Sequence, residues 1–457
     1  MKKHIFKILS LTMGLVLLFS CFSVAAGAVN TVEYTITNPY ESVSSLLGDM
    51  DRHYKTNLHT HSTYSDANET MVNMIHEFYD QNFDILAFAD HGVIGKNWDT
   101  APTLVLLYQY QHFLGNKQTH LTTEEFNAVL DGTFKTPEAL RTNTRGMECV
   151  TGAIEGNMLV VEKNHVNGYF TTALEGDWGY ENDFEYAIKA FEEDGAISHI
   201  NHPGDWLHSA GDESIARDPE NVKFFADLLN KYHSCLGIEA LNSFDRPTSN
   251  DRILWDELIM DIVPAGERNV WGFANSDAHA RDEVDTAFMD FILPSYSMDN
   301  LRTAMEDGTF FSIGRYAYNE LGDDFVGTGP YPQVTSIEVD EENDTITVTG
   351  INCKEIQWIA DGVVIASETR EENGEITTTL SLREYSDEIG CYVRFQLLGD
   401  GGLCLAQPFV CDDGNMADLI PPVQPEEVKH PVVILVESIV TAFKNSKIGA
   451  LILKLAE

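Results

Sequence analysis

The chain has 457 residues, 43% of them hydrophobic and 10% aromatic, with 72 acidic against 29 basic side chains and a formal charge of -43. This excludes disorder throughout and leaves room for one barrel-sized domain plus a smaller one. The negative charge repels phosphate backbones, which sets duplex nucleic acid aside as a partner, and it draws cations to the surface.

Met1-Lys-Lys-His-Ile-Phe-Lys7 is basic, Ile8 to Phe22 is apolar, and Val24-Ala-Ala-Gly-Ala28 offers small residues for cleavage. Residues 1–28 therefore read as a signal peptide, with lipidation of Cys21 as the alternative. The expected location is secreted or extracytoplasmic, with envelope association as the second reading.

Thr31 to Thr37 alternates like a strand, and Glu69 to Gln81 has helical spacing with Met71, Ile75 and Phe78 on one face. Phe83 to Asp90 is a near-continuous apolar run of the kind that forms a buried parallel strand. Trp98 to Met147 breaks the rhythm and reads as an insertion over the mouth of a barrel, with a capping signal at Thr122-Thr-Glu-Glu125 and two histidines, His112 and His120, taken as ordinary residues. Alternation then resumes. Strands are expected at 149–154, 165–170, 195–201, 236–242 and 269–275, and helices at 183–194, 221–232 and 250–260. Repeated βα units argue for a closed or nearly closed parallel barrel over 29–328.

Beyond Pro330 short alternating runs, separated by turns such as Asp361-Gly362 and Glu372-Asn-Gly374, suggest a small antiparallel β-sandwich over 331–412. A linker at 413–430, stiffened by Pro421-Pro-Val-Gln-Pro425, precedes an amphipathic helix over 431–457. That helix either docks on the protein or makes peripheral contact with a membrane or the cell envelope. The seven cysteines are too few for a disulfide framework, although Cys353, Cys391, Cys404 and Cys411 leave one or two bridges open; Cys149 and Cys235 read as buried thiols.

Strand ends of a parallel barrel are where an active site is built. His59 and His61, two apart on a strand, point to one side. Asp66 follows them, and His91, Glu155, His165, His202, Asp277 and His279 stand at later strand ends. Nine side chains able to bind a borderline divalent metal in these places point to one centre. Arg246, Arg281 and Lys96 are candidate cations for holding an anionic ester, and Glu239 is a candidate to orient a ligand from behind.

Asn57-Leu-His-Thr-His-Ser-Thr-Tyr-Ser-Asp66, Ala89-Asp-His91, Gly152-Ala-Ile-Glu155, His165-Val166, Asn201-His-Pro203 and Asn275-Ser-Asp-Ala-His279 resemble the motifs of the polymerase and histidinol phosphatase (PHP) family of metal-dependent phosphoesterases. The resemblance covers roughly residues 40 to 320. It implies an α/β fold, a distorted (βα)7 TIM-like barrel, here followed by the small C-terminal antiparallel β-sandwich. It also implies two or three divalent metal ions (Zn, Mn or Fe). One would be held by His59, His61, Glu155 and Asp277; Glu155 would bridge to a second with His165 and His202; Asp66, His91 and His279 would hold a third. Ala67 departs from the family, which usually has Gly there; a turn needing positive φ would be strained by Ala. The implied reaction is hydrolysis of a small phosphate ester by a metal-activated hydroxide. Two other classes stay open: an amidohydrolase-type metallohydrolase acting on C–N or C–O bonds, and a catalytically silent cell-surface binding protein.

Overall fold

The computed structural model describes residues 33–105, 119–158, 163–180, 183–266 and 268–420. The expected signal peptide, His112, the linker from Pro421 and the C-terminal helix lie outside the described residues. No helix among the described residues is long and apolar enough to cross a membrane.

The amphipathic runs fold as their periodicity dictates. The Thr70 side chain accepts from Asn73 N and opens a helix at Met71–Asp80 that buries Met71, Met74, Ile75 and Phe78. Asp183 caps Phe184–Glu193 in the same way, and Phe184, Ile188 and Phe191 are fully buried. Each contributes about 1.5–3 kcal/mol through the area it removes from water. Further helices lie at Pro219–Lys231 and Asp251–Ile262, and Phe225 of the first meets Phe184 edge-on at 5.5 Å.

The strands are β1 (Thr35–Thr37), β2 (His53–Asn57), β3 (Ile85–Ala87), β4 (Glu148–Val150), β5 (Ile154–Gly156), β6 (Val166–Tyr169), β7 (Ile197–Ile200), β8 (Cys235–Asn242) and β9 (Trp271–Asn275). They continue with β10 (Ala287–Ile292), β11 (Phe310–Gly314), β12 (Gln333–Asp340), β13 (Thr345–Ala360), β14 (Val363–Ser381), β15 (Tyr392–Gly399), β16 (Gly402–Leu405) and β17 (Phe409–Asp412). The result is a mixed α/β fold, but the described strands form two sheets and no closed barrel. One sheet runs β5-β6-β7-β8-β9; the other contains β11-β10-β2-β3-β4 and continues into the C-terminal strands. Two features break the expected parallel ring. The β5–β6 connection is too short for a helical crossover, so β6 enters antiparallel between β5 and β7. Likewise β10 lies antiparallel to both β2 and β11. The sheets touch at two single-residue bridges, His91 to Glu155 and Thr60 to Ala278.

The C-terminal strands form an antiparallel layer, with β13 pairing β12, β14 and β15. It is joined to the first part through the β11–β16 ladder. The Gln407 side chain reaches further: its Nε2 donates to Gly272 O at 3.0 Å and its Oε1 accepts from Gly272 N at 2.9 Å, completing the pairing of β9. Asp361-Gly362 is a tight turn with both residues at positive φ. By contrast, Glu372-Asn-Gly374 lies inside β14; register shifts near Cys353 absorb the irregular residues that looked like a turn.

All six described cysteines are free, so the expected bridges are absent there. Burial pushes the Cys353 thiol up to about 11 and that of Cys391 to about 12, and these side chains serve as small apolar fillers. Residues 136–145 of the 98–147 insertion lie away from the expected mouth. Thr136 bonds Asp80, Asn143 bonds Asp84, and Arg145 donates to His53 O, all at the N-terminal ends of β2 and β3, opposite the ligand-bearing ends.

Candidate metal centre

The segment leaving β2 is pinned along the end of β9. Leu58 N donates to Asn275 Oδ1 at 2.8 Å, Ser276 N to Asn57 Oδ1 at 2.9 Å, Asp277 N to His59 O at 3.0 Å and His61 N to Ala278 O at 3.0 Å. Extended backbone then places His59 and His61 on one side, fully buried, with their Nε2 atoms 3.2 Å apart. Glu239, expected as an orienting group, accepts at 2.9 Å from His59 Nδ1, which leaves Nε2 for the centre.

Glu155 is the hub. Its Oε1 lies 3.3 Å from His59 Nε2, 3.3 Å from His165 Nδ1 and 4.0 Å from His202 Nε2; its Oε2 lies 2.6 Å from His91 Nδ1 and 3.6 Å from His61 Nε2. Asp277 Oδ1 stands 3.1 Å from His61 Nε2 and 3.2 Å from His59 Nε2. Asp66 reaches His91 at 3.3 Å, His279 at 3.3 Å and His61 at 3.8 Å. All nine expected residues thus converge. They fall into four overlapping groups able to hold an ion: His61, Asp66, His91 and His279; His59, Glu155 and His202; His59, His61 and Asp277; and His91, Glu155 and His165. The partition differs from the expected one in that His61 joins the Asp66 group, His202 groups with His59 and Glu155, and His91 takes its place beside Glu155 and His165. The strain expected at Ala67 is also absent: Ala67 is buried with no positive φ, so an alanine is at ease in that turn.

Charge is arranged around this hub. Burial opposes ionisation of Glu155, but His165, His91 and His59 outweigh it and hold the carboxyl well below its usual range. Asp277 is held well below its range against burial chiefly by His59, and Asp66 chiefly by His91. Burial likewise opposes a charge on His59 and His91, yet their carboxylate neighbours raise both well above the ordinary histidine range. His61 goes the other way, lowered by burial and by His279 and His91.

The donor set suits a divalent ion. Imidazole nitrogens and carboxylate oxygens are the ligands that zinc, manganese and iron take. Glu155 Oε2 and Asp277 Oδ1 are buried and accept no hydrogen bond of good geometry, which leaves two charged oxygens for a cation. His202 at φ +28° and Asp277 at φ +47° hold left-handed backbone, a strain of about 1–3 kcal/mol each that is characteristic of functional positions.

Several supports were not singled out from sequence. Asp90 accepts from Ser62 N at 2.7 Å, Ser62 Oγ at 2.8 Å and Ser65 Oγ at 2.6 Å, fixing the loop between His61 and Asp66. Asn201 Nδ2 donates to Glu155 Oε1 at 2.6 Å, and Asn275 Nδ2 to Glu239 Oε1 at 2.9 Å. The available signal was an asparagine within two residues before a ligand at three strand ends: Asn57, Asn201 and Asn275.

The expected cations lie elsewhere. Arg281 is held by Glu77, 2.7 Å away, and by Glu138, on the outer side of the Met71–Asp80 helix, so it is not free to grip an ester. Lys96 donates to Thr103. Arg246 is exposed just beyond β8, its guanidinium 5.3 Å from the Tyr318 ring centre, and forms no ion pair among the described residues. His120 is exposed and belongs to none of the ligand groups.

No family model and no curated protein matches the chain. Among solved structures, it is similar to a two-domain protein containing a predicted PHP-like metal-dependent phosphoesterase from Bacteroides vulgatus, at 14% identity and TM-score 0.36, covering 78% of this chain and 96% of that one. It is also similar to the lesion-specific endonuclease PfuEndoQ from Pyrococcus furiosus, at 12% identity and TM-score 0.31, covering 82% of this chain and 74% of that one.

Proposed function

We propose that the chain is an exported, metal-dependent phosphoesterase of the PHP type that hydrolyses a small phosphate ester. The observation that carries this reading is the gathering of nine metal-competent side chains in one cluster around Glu155, whose two oxygens face five imidazoles within 4.0 Å. Divalent ions, when bound, supply Lewis acidity toward phosphoryl oxygens and a more acidic water. His59, His61, Glu155, His202 and Asp277 would hold ions at the buried floor. His61, Asp66, His91 and His279 would hold one toward solvent, where the Asp66 and His279 side chains are 38% and 30% exposed. That gradient supports substrate entry over Asp66 and His279, with the buried side excluding bulk water. Arg246 is the candidate left to meet an anionic part of the ester. Export rests on the basic and apolar segments at Met1–Phe22.

The test is metal analysis of the mature protein followed by phosphate release from aryl mono- and diesters with manganese or zinc. We expect bound divalent metal, turnover, and loss of both in the double variant His59→Ala, His61→Ala. Turnover of an amide or lactone with no phosphate release would favour the amidohydrolase-type reading.

A further inference from the structure

Among the described residues, three Phe, Tyr or Trp side chains are exposed: Trp178, Tyr180 and Phe244, at 54%, 60% and 39%. All three stand on segments bound to the ligand-bearing ends of strands. Ser243 N donates to Asn275 O at 3.1 Å, which ties the Phe244 turn to the loop carrying Asp277. Tyr180 is tied to the hairpin that carries Glu155 and His165: its N donates to Asn157 Oδ1 and its O accepts from Asn164 Nδ2. In the sheet order, β7 with His202 at its end lies between these two attachments.

Neither segment is slack. The turn holding Phe244 has left-handed backbone at Ser243 (φ +50°) and Asp245 (φ +65°), a conformation that non-glycine residues keep only when surroundings enforce it. The enforcement is visible: the Asp245 carboxylate takes Arg252 Nη1 at 2.6 Å and Tyr318 N at 2.6 Å, so Asp245 turns inward while Phe244 turns out. Phe244 also rests edge-on against Tyr316 at 5.2 Å. On the other segment Tyr180 is edge-on to Tyr186 at 4.7 Å, and Gly179 lies so close to Asn157 that a Cβ would stand 2.3 Å from its Cα. Aromatic side chains exposed on segments tied to the strand ends of a polar, charged centre match the usual division of a ligand site into apolar wall and polar anchor.

We propose that Phe244, Trp178 and Tyr180 form an aromatic rim that selects esters whose leaving group carries a planar aromatic ring. The inference rests on the phosphoesterase reading for the reaction, but ring recognition is testable without turnover. The manganese-loaded protein is titrated by calorimetry with phenylphosphonate and methylphosphonate, and phosphate release from phenyl phosphate, a nucleoside monophosphate and glycerol phosphate is measured separately. We expect tighter binding of the phenyl compound, and a fall of roughly three- to tenfold in the phenyl-to-methyl affinity ratio for Phe244→Leu or Trp178→Ala, the range that aromatic contacts produce. Phe244→Leu keeps the apolar bulk, and circular dichroism reports its folding. Equal binding of the two phosphonates, or a ratio unchanged in both variants, overturns the rim. Ring preference without release of phosphate from any ester leaves the rim standing and removes the phosphoesterase reading. Comparing phenyl phosphate with the nucleotide shows which ring source the rim accepts.

Discussion

Glu155 and His91 meet twice: their side chains stand 2.6 Å apart, and Gly92 N donates to Glu155 O at 2.9 Å where the two residues bridge the sheets. The hub of the candidate centre is therefore also part of the seam between the sheets, and changes at Glu155 should register in binding and in stability together.

Glu155→Gln keeps the shape and removes the charge. Metal content should drop by at least one ion per chain in elemental analysis. The metal-free protein should also lose stability, by up to about 3–5 kcal/mol, because imidazolium groups lose their buried partner. Denaturant unfolding with chelator present checks the second effect, and an unchanged midpoint would contradict it.

Glu239 orients His59 and accepts from His202 N at 3.1 Å without joining any ligand group. Its replacement by Gln should weaken metal binding by roughly 10–100-fold, the usual cost of losing such a support. Competition titration against a chromophoric chelator measures this.

His53 predicts a pH effect away from the centre. Its Nδ1 faces Asp290 Oδ2 at 2.8 Å and its Nε2 faces Leu47 O at 3.0 Å, so both nitrogens have acceptors and the imidazolium is favoured. Burial opposes that charge, but Asp290 wins and the pKa is raised. A raised folded pKa means the contribution is complete below the unfolded value of about 6.5 and is lost as pH rises through the folded value. The stability gap between wild type and His53→Gln should therefore shrink from pH 6 toward alkaline pH in thermal melts.

Ala67 gives the opposite outcome to the one family likeness suggests. Because it is buried without positive φ, Ala67→Gly should lower stability by about 1 kcal/mol through added freedom in the unfolded chain, and metal content should stay as it is. A gain in bound metal would show that the turn needs glycine after all.

The clustering of the candidate ligands was legible because extended backbone fixes what the two-residue spacing of His59 and His61 means, and because Glu155 and Asp277 follow apolar runs that read as strands. The ring they sit on was not. An apolar run does not state strand direction, and nothing in Val166-Asn-Gly-Tyr169 marks β6 as antiparallel. Asp90 stands beside His91 in the sequence with nothing to mark its role, since its partners Ser62 and Ser65 are brought to it only by the fold. Arg281 looked like a mouth cation by position, yet Glu77 on a distant helix claims it.

The Gln407 contacts with Gly272 have a practical consequence for anyone seeking a minimal stable chain. A chain shortened to residue 330 would strip β9 of its side-chain pairing and bare the edge of β11, whose Phe311 and Ile313 are wholly enclosed in the intact fold. Such an edge invites aggregation. The portion that must be produced together therefore extends at least to Gln407.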